Sequence, residues 1–592
     1  MMHDRHGSKL ADYYKETLAR VRAHLSSKFA VEFDHGDDKD SLHVLQLNPN
    51  SIVWRVKVPG KNRLFTLLAA IPATFPDSLP KFYLTESDYF GFGLIPHVDK
   101  NHFVCTRDPE VVILNDICPE KAFVELLEVA VETLEAGLKG KLSQDFQDEF
   151  LAYWNDVAES RALMTCTIPK MPCVLVMCEV RLPLLQASHV VAQSKSSAIS
   201  WLTRLGTHRD FVSTEEVLCL RLSRVPDLVP ETNGDVKAII DDLDSDGVKS
   251  IKHFRGDAIL GCIPCADDCM LVLWQHPLVQ VNGFRKRRGS TPLYLSISNR
   301  KTESVKIMRW HVRRFDRIRL IKRAVDMGFI GRNDVRLAIV GCGSVGSVLA
   351  MLLAKSGCGH FTLVDPENLT EENVVRHLCG CSAVATTPKK VEAIKSALEA
   401  HLPFVNCDIS DQNVLNVLID TPQMFDEVDL AIVAIGNMST ERRVNDFFIR
   451  DASKPVVYLW LEPYGVAGHL LYISPNQGGC YRCCFAADGK FIFSVAHDSQ
   501  QFGKREAGCQ QTFTPYGAAD VTMFCAVACK EILNALEEPP GRSVLTTWIG
   551  DVEEFQSAGY TIKDDYRAHA SYSIHRREVL RQETCKLCKS RD

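Results

Sequence analysis

No apolar run in this 592-residue chain reaches the roughly 18 residues a membrane helix needs, and the opening stretch, MMHDRHGSKLADYY, has no apolar signal core. No basic block stands out either. The 68 Lys and Arg are outnumbered by 74 Asp and Glu, a net charge of −6, which argues against an electrostatic footprint for nucleic acid. There is no internal repeat and no low-complexity segment. These absences lead to the expectation of an ordinary globular protein in the cytoplasm. At ~100–200 residues per domain, the length predicts three or four units.

Cysteine, by contrast, is plentiful: the chain has 22. In a long chain without a signal core, metal ligands and reactive thiols explain them better than disulfides do. Cys525 and Cys529 fall in an apolar helical pattern and read as small core residues.

Three stretches differ in pattern and predict a multidomain α/β and α+β protein. Residues 1–155 begin with a helix-like segment, Leu10 to Phe29, followed by strand-like runs SLHVLQLN, SIVWRVKV and RLFTLLAAI. Pro72, Pro76 and Pro80 punctuate the next segment, and FVELLEVAVETLEAGL is an amphipathic helix. Residues 156–300 contain short β-runs (CVLVMCEVRL, DAILGCIPC, CMLVLWQ) divided by the acidic ETNGDVKAIIDDLDSDG, and read as a linker or docking domain. Residues 301–592 are α/β: VRLAIVGCG is a buried strand entering a Gly-rich turn, SVGSVLAMLLAKSG the helix after it, and HFTLVD the next strand. LAIVAIG and PVVYLWL supply later strands.

Gly341, Gly343 and Gly346 form G-x-G-x-x-G between strand and helix, where glycines allow phosphates to approach the helix N-terminus. Asp365 ends the second strand, the usual place for an acid that holds ribose hydroxyls. A dehydrogenase is still open at this point. Asn373, Arg376 and Lys390 follow, and cations in this order suit negative charge accumulating on an α-phosphate under attack, which hydride transfer does not require.

With these residues in place, the stretch from about Arg314 onward resembles the superfamily of ubiquitin-activating, molybdopterin-synthase-adenylating and thiamine-biosynthesis adenylating enzymes, ThiF and MoeB types included. The resemblance implies ATP and Mg²⁺, with Asp365 on the ribose and Asn373, Arg376 and Lys390 on the phosphates. It places Arg314, with Arg313 as the competing choice, where the family has an arginine reaching a neighbouring subunit's ATP, and so implies a homodimer. The chain departs from the family at Gly436–Asn437, where the family has Asp-Asn and the acid assists Mg²⁺. Asp365 or Glu367 takes over there, the phosphates hold the metal, or the chain is a pseudoenzyme.

Cys480-x-x-Cys483 and Cys585-x-x-Cys588 supply the four thiolates a structural Zn²⁺ prefers, and the same superfamily carries such pairs in these two places. Cys484 is off the spacing. Cys509 sits in a Gly-flanked polar loop before a strong helix, where Lys504 and Arg505 favour its thiolate. Family members often carry a thiol at this place, which implies a thioester-forming residue.

In the first stretch, Cys105 lies in IPHVDKNHFVCTRDPE near His97 and His102. A cysteine–histidine protease is one idea, but no matching elbow or acid partner appears. The order of elements instead resembles the ubiquitin-conjugating (E2-like) fold. Ile95–His97 takes the place of the family's H-P-N motif, and Cys105, the implied acceptor thiol, lies eight positions after His97. His97 then replaces the asparagine as hydrogen-bond donor to an oxyanion.

A conjugating domain ahead of an activating one resembles the bacterial E1–E2 fusion proteins of CBASS anti-phage operons. The resemblance implies activation of the C-terminal glycine of a cGAS-like nucleotidyltransferase or a ubiquitin-like protein, and its transfer to target lysines. A sulfur-carrier adenylyltransferase and a non-catalytic binding module are the rival readings.

Overall fold

The computed structural model describes residues 4–33, 38–93, 95–106, 117–140, 143–165, 170–182, 187–204, 211–265, 268–277, 292–322, 335–387, 389–452, 454–475, 477–497, 502–505, 512–513 and 515–589. They group into two compact units. The first holds residues 1–162, 169–189 and 213–313, and the second holds 163–168, 190–212 and 314–592. No helix among the described residues is long and apolar enough to cross a membrane.

The first unit opens with the helix Asp4–Lys28 and a five-stranded antiparallel sheet: Ala30–Glu32, Ser51–Pro59, Leu64–Pro72, Lys81–Leu84 and Phe103–Val104, in that order. Phe65, Leu67, Ala69 and Ile71 alternate along one strand and bury against Phe123, Leu127, Ala130 and Leu134 of the helix Pro119–Leu138. The opposite residues, Leu68 and Ala70, meet Val44 of the helix Lys39–Leu47. That last helix corrects the strand expected for SLHVLQLN. Asp38 caps it, accepting from the backbone N–H of Asp40 and Ser41 at 3.1 Å each, and the cap outweighs the local apolar alternation.

The expected middle strands form at Cys173–Leu182, Ala258–Pro264 and Cys269–Gln275, and belong to a closed β-barrel. The acidic stretch dividing them is helical, Asn233–Asp241 and Ser245–His253, with Thr232 and Asp235 forming a capping box on the first.

The second unit is built on an eight-stranded sheet. Five parallel strands come first in the order Asn406–Ser410, His360–Val364, Arg336–Val340, Leu430–Val433 and Val456–Leu461. Three antiparallel ones complete it: Ala467–Ile473, Val544–Ile549 and Ile574–Glu578. The inner parallel strands Arg336–Val340, Leu430–Val433 and Val456–Leu461 are covered on both faces, so they read as apolar runs. Cys525 and Cys529 are buried in the helix Ala518–Glu537, as expected of core residues. The chain runs outward from Arg336–Val340 to one side and then resumes at Leu430–Val433 on the other. This reversal opens a crevice at the carboxyl ends of the strands, where ligands bind in sheets of this kind.

Candidate functional site

The Gly-rich turn lies at that crevice. Gly341 has φ +93°, and a Cβ there would stand 2.6 Å from the Ala434 carbonyl oxygen. A Cβ on Gly346 would stand 2.0 Å from the Gly341 oxygen, so the helix Ser344–Lys355 can start this close to its strand only with glycine there. Gly343 has no such neighbour. A cavity of about 420 Å³ opens above the turn, lined by Gly343, Ser344, Asn373, Arg376, Gly436 and Tyr516 among others.

The structure thus brings three of the sequence-predicted residues, Gly343, Asn373 and Arg376, to one cavity. Asp365 lies beneath the turn. Its Oδ2 accepts the Cys342 N–H at 2.7 Å and its Oδ1 the Glu367 N–H at 2.8 Å. Burial raises its pKa, and those two bonds and the Lys390 charge oppose the rise. Each oxygen keeps a second lone pair for a hydroxyl. Lys390 is buried beside Asp365, its ammonium 2.5 Å from the Glu367 carboxylate. Arg314 is gripped by Asp316 through two bonds of 2.7 and 2.9 Å, whereas Arg313 is exposed.

Two residues of this site carried no sequence signal. The Arg376 guanidinium lies 4.5 Å from the centre of the Tyr516 ring, and the Tyr516 hydroxyl is 3.0 Å from Ser344 Oγ. His377 is buried, with Nδ1 accepting the Cys379 N–H at 3.0 Å and Nε2 donating to the Cys342 carbonyl at 3.0 Å. It therefore ties the Asn373–Arg376 segment to the Gly-rich turn as a neutral ring, and burial lowers its pKa. The unfolded chain takes up this proton first as the pH falls. The stability His377 contributes is therefore complete above about pH 6.5, its unfolded value, and is lost as the pH drops towards the lowered folded one. The gap in melting temperature between wild type and His377→Gln is expected to narrow between pH 7.5 and 5.5, as measured by calorimetry.

Among the described residues lining the cavity there is no carboxylate, since Gly436, with φ +72°, occupies the place of the expected acid. Asp365 lies beneath the turn and Glu367 pairs with Lys390, and neither lines the cavity. This arrangement does not fit a Mg²⁺ ligated directly by protein in the cavity.

Cys480, Cys483, Cys585 and Cys588 are all buried, with all four sulfurs within 4.8 Å of one another. Individual separations are 4.0 Å (Cys480–Cys483), 3.7 Å (Cys480–Cys585) and 3.5 Å (Cys483–Cys588). Zn–S bonds of about 2.3 Å in a tetrahedron place sulfurs about 3.8 Å apart, so the set fits zinc. The Gln582 N–H reaches Cys483 Sγ at 3.5 Å, the outer-shell contact such sites use. Cys484 is buried and stands outside the set.

In the first unit, Cys105 is exposed, and its N–H donates to the His97 carbonyl at 2.7 Å. His97 adopts φ +64°, unusual for a residue with a side chain, and its N–H donates to the Tyr153 hydroxyl at 2.8 Å. The His97 ring, expected as an oxyanion donor, faces two carboxylates. Nε2 lies 3.2 Å from Asp145 and Nδ1 2.9 Å from Glu149, one turn apart on the helix Ser143–Val157. With both ring nitrogens on carboxylates, the side chain tethers the Cys105 loop. Cys509 lies outside the described residues.

An α/β fold with a Gly-rich turn and a unit carrying an exposed thiol stand in one chain, and the family matches and relatives support E1/E2-like transferase activity. Residues 329–558 match the ThiF family and residues 39–163 match the Prokaryotic E2 family B. The chain is similar to the ATP-dependent ubiquitin transferase-like protein Cap2 of Pseudomonas aeruginosa, 23% identical over 465 residues, 75% of this chain and 80% of that protein. Cap2 of Vibrio cholerae is 26% identical over 251 residues, 40% of this chain and 41% of that one. The crystal structure of E. coli MccB with MccA-N7isoASN aligns at a TM-score of 0.31 and 17% identity over 43% of this chain and 67% of that one.

Proposed function

We propose that the protein activates the C-terminal glycine of a partner protein with ATP and passes it through two thiols to target amines. The observation that carries this reading is one chain holding both a cavity lined by Gly343, Asn373 and Arg376 and an exposed thiol, Cys105, in an E2-type domain. The partner's carboxylate oxygen attacks the α-phosphorus of ATP. A P–O bond forms, the bond to the bridging oxygen breaks, and pyrophosphate leaves. Arg376 and Lys390 stabilise the charge that develops, and Asp365 holds the ribose. The Cys509 thiolate then attacks the acyl adenylate and releases AMP. Cys105 takes the acyl group by thioester exchange, and an amine forms the final C–N bond as the Cys105 thiolate leaves. No step is assigned to a metal held by the protein. Zinc, held by the four cysteines, would clamp the C-terminal segment to the second unit and takes no part in transfer.

The partner we favour is a cGAS-like nucleotidyltransferase ending in glycine, in antiviral defence, with the enzyme working in the cytoplasm as a homodimer through the adenylation domain. The non-catalytic alternative draws on Gly436. Pyrophosphate exchange with a glycine-ended partner decides: ATP turnover is expected, and its absence with every such partner sinks the enzyme reading. Non-reducing gels are then expected to trap thioesters at both Cys509 and Cys105. Thioesters at Cys509 alone would mark a sulfur-carrier enzyme instead.

A further inference from the structure

We propose that Tyr481 and Glu441 couple the four-cysteine site to the nucleotide cavity, so that metal and nucleotide each strengthen the binding of the other. The inference rests on the cavity being a nucleotide site. It begins with two ligand cysteines, Cys480 and Cys483, which flank Tyr481 in the short turn Tyr481–Cys484. The Tyr481 N–H donates to Asn445 Oδ1 at 3.1 Å, and its ring is held 4.5 Å from that of Tyr458 and 4.9 Å from that of Phe485. The ring is thus confined, and its hydroxyl donates to Glu441 Oε2. The other oxygen of the same carboxylate accepts the Gly436 N–H at 2.9 Å. Gly436 lines the cavity.

Glu441 and Asn445 are one turn apart on the helix Met438–Phe447, so a single helix face holds Tyr481 at both its backbone N–H and its hydroxyl. Arg482 adds a third tie, bonding Asp446 of that helix at 2.8 and 2.6 Å. Glu441 is only 3% exposed, so each donor it loses is a loss that water does not make good. A metal that holds Cys480 and Cys483 in place holds Tyr481 in place. Tyr481 orients the carboxylate, and the carboxylate holds the left-handed Gly436 turn in the shape the cavity needs. Without the metal, four buried thiols have no comparable restraint, and the loosening passes along the same path. Coupling of this kind is reciprocal: if zinc tightens nucleotide binding, nucleotide retains zinc by the same factor.

Tyr481→Phe removes one hydroxyl and keeps the ring. In the full-length protein, its zinc content is expected to match that of wild type. Its affinity for a non-hydrolysable ATP analogue, measured by calorimetry, is expected to fall about tenfold, the scale of one buried hydrogen bond to a charged group. In wild type, a saturating level of the analogue is expected to slow zinc transfer to a chromophoric chelator; in the variant this protection disappears. Glu441→Gln still accepts from Gly436 and donates to the Tyr481 oxygen, so it is expected to keep the coupling, whereas Glu441→Ala loses it. A merely structural role would not move the nucleotide-dependent rate of zinc release. A Tyr481→Phe protein that binds the analogue as tightly as wild type, with zinc release still slowed, overturns the coupling and leaves the nucleotide site standing. A wild-type protein that binds no analogue overturns the nucleotide reading, and the coupling with it.

Discussion

Replacing Cys105 with alanine is expected to abolish conjugate formation while leaving pyrophosphate exchange unchanged. The acyl group needs a nucleophile that also leaves well, and among the described residues of the loop after His97 the exposed Cys105 thiol has both properties. The residue is placed by backbone geometry. Its N–H is held by the His97 carbonyl, and His97 is held in a left-handed turn by Tyr153 and by the carboxylates of Asp145 and Glu149. Alanine keeps every one of those bonds, so the loop stays folded and only the chemistry goes. Serine keeps the shape too and is expected to accumulate an ester that survives reducing agent. Gel-shift assays with and without thiol, beside an exchange assay on the same preparation, check both points. Conjugates that persist in the alanine variant would remove Cys105 from the relay.

Arg376→Ala is expected to lower kcat for pyrophosphate exchange by about 10²–10³, or about 2.7–4 kcal/mol of transition-state stabilisation. The residue borders the cavity and is preorganised by stacking at 4.5 Å on Tyr516, itself bonded to Ser344 at the helix start. A donor already in position costs no reorganisation when charge develops at phosphorus. Lysine should restore only part of the rate, because it carries the charge but not the planar fork or the stack. Tyr516→Phe retains the ring and is expected to have a much smaller effect. Arg376 is only partly buried, so the melting temperature should hardly change, which separates a catalytic loss from unfolding. Exchange kinetics and calorimetry on the three variants test the assignment.

The adenylation fold was legible because each of its parts leaves a local mark. Strands such as Leu337–Val340 are buried on both faces and appear as apolar runs, and the turn after them needs glycine at 341 and 346 for steric reasons alone. The two C-x-x-C pairs were equally plain. SLHVLQLN was not, because a helix cap at Asp38 and a partly alternating pattern compete over only a few residues. The carboxylate partners of His97 were not legible either, since Asp145 and Glu149 lie about fifty residues away on another helix. Tyr516, His377, Glu441 and Tyr481 were invisible for a related reason: each acts through a few contacts that only the fold brings together, and one residue makes no pattern.

By itself, then, the sequence determined the α/β adenylation frame, the E2-like order of elements, the four cysteines and the candidate thiols. Periodicity, steric need for glycine and ligand spacing are all properties of short stretches of chain. Only the tertiary structure decided that Asn373 and Arg376 share a cavity with Gly436 while Asp365 and Lys390 lie beneath it. It also decided that His97 faces carboxylates, and that the turn holding Cys480 and Cys483 is tied through Tyr481 and Glu441 to the cavity wall. Those outcomes depend on where a side chain points and on which buried partner satisfies it, and both are settled only when distant segments pack together.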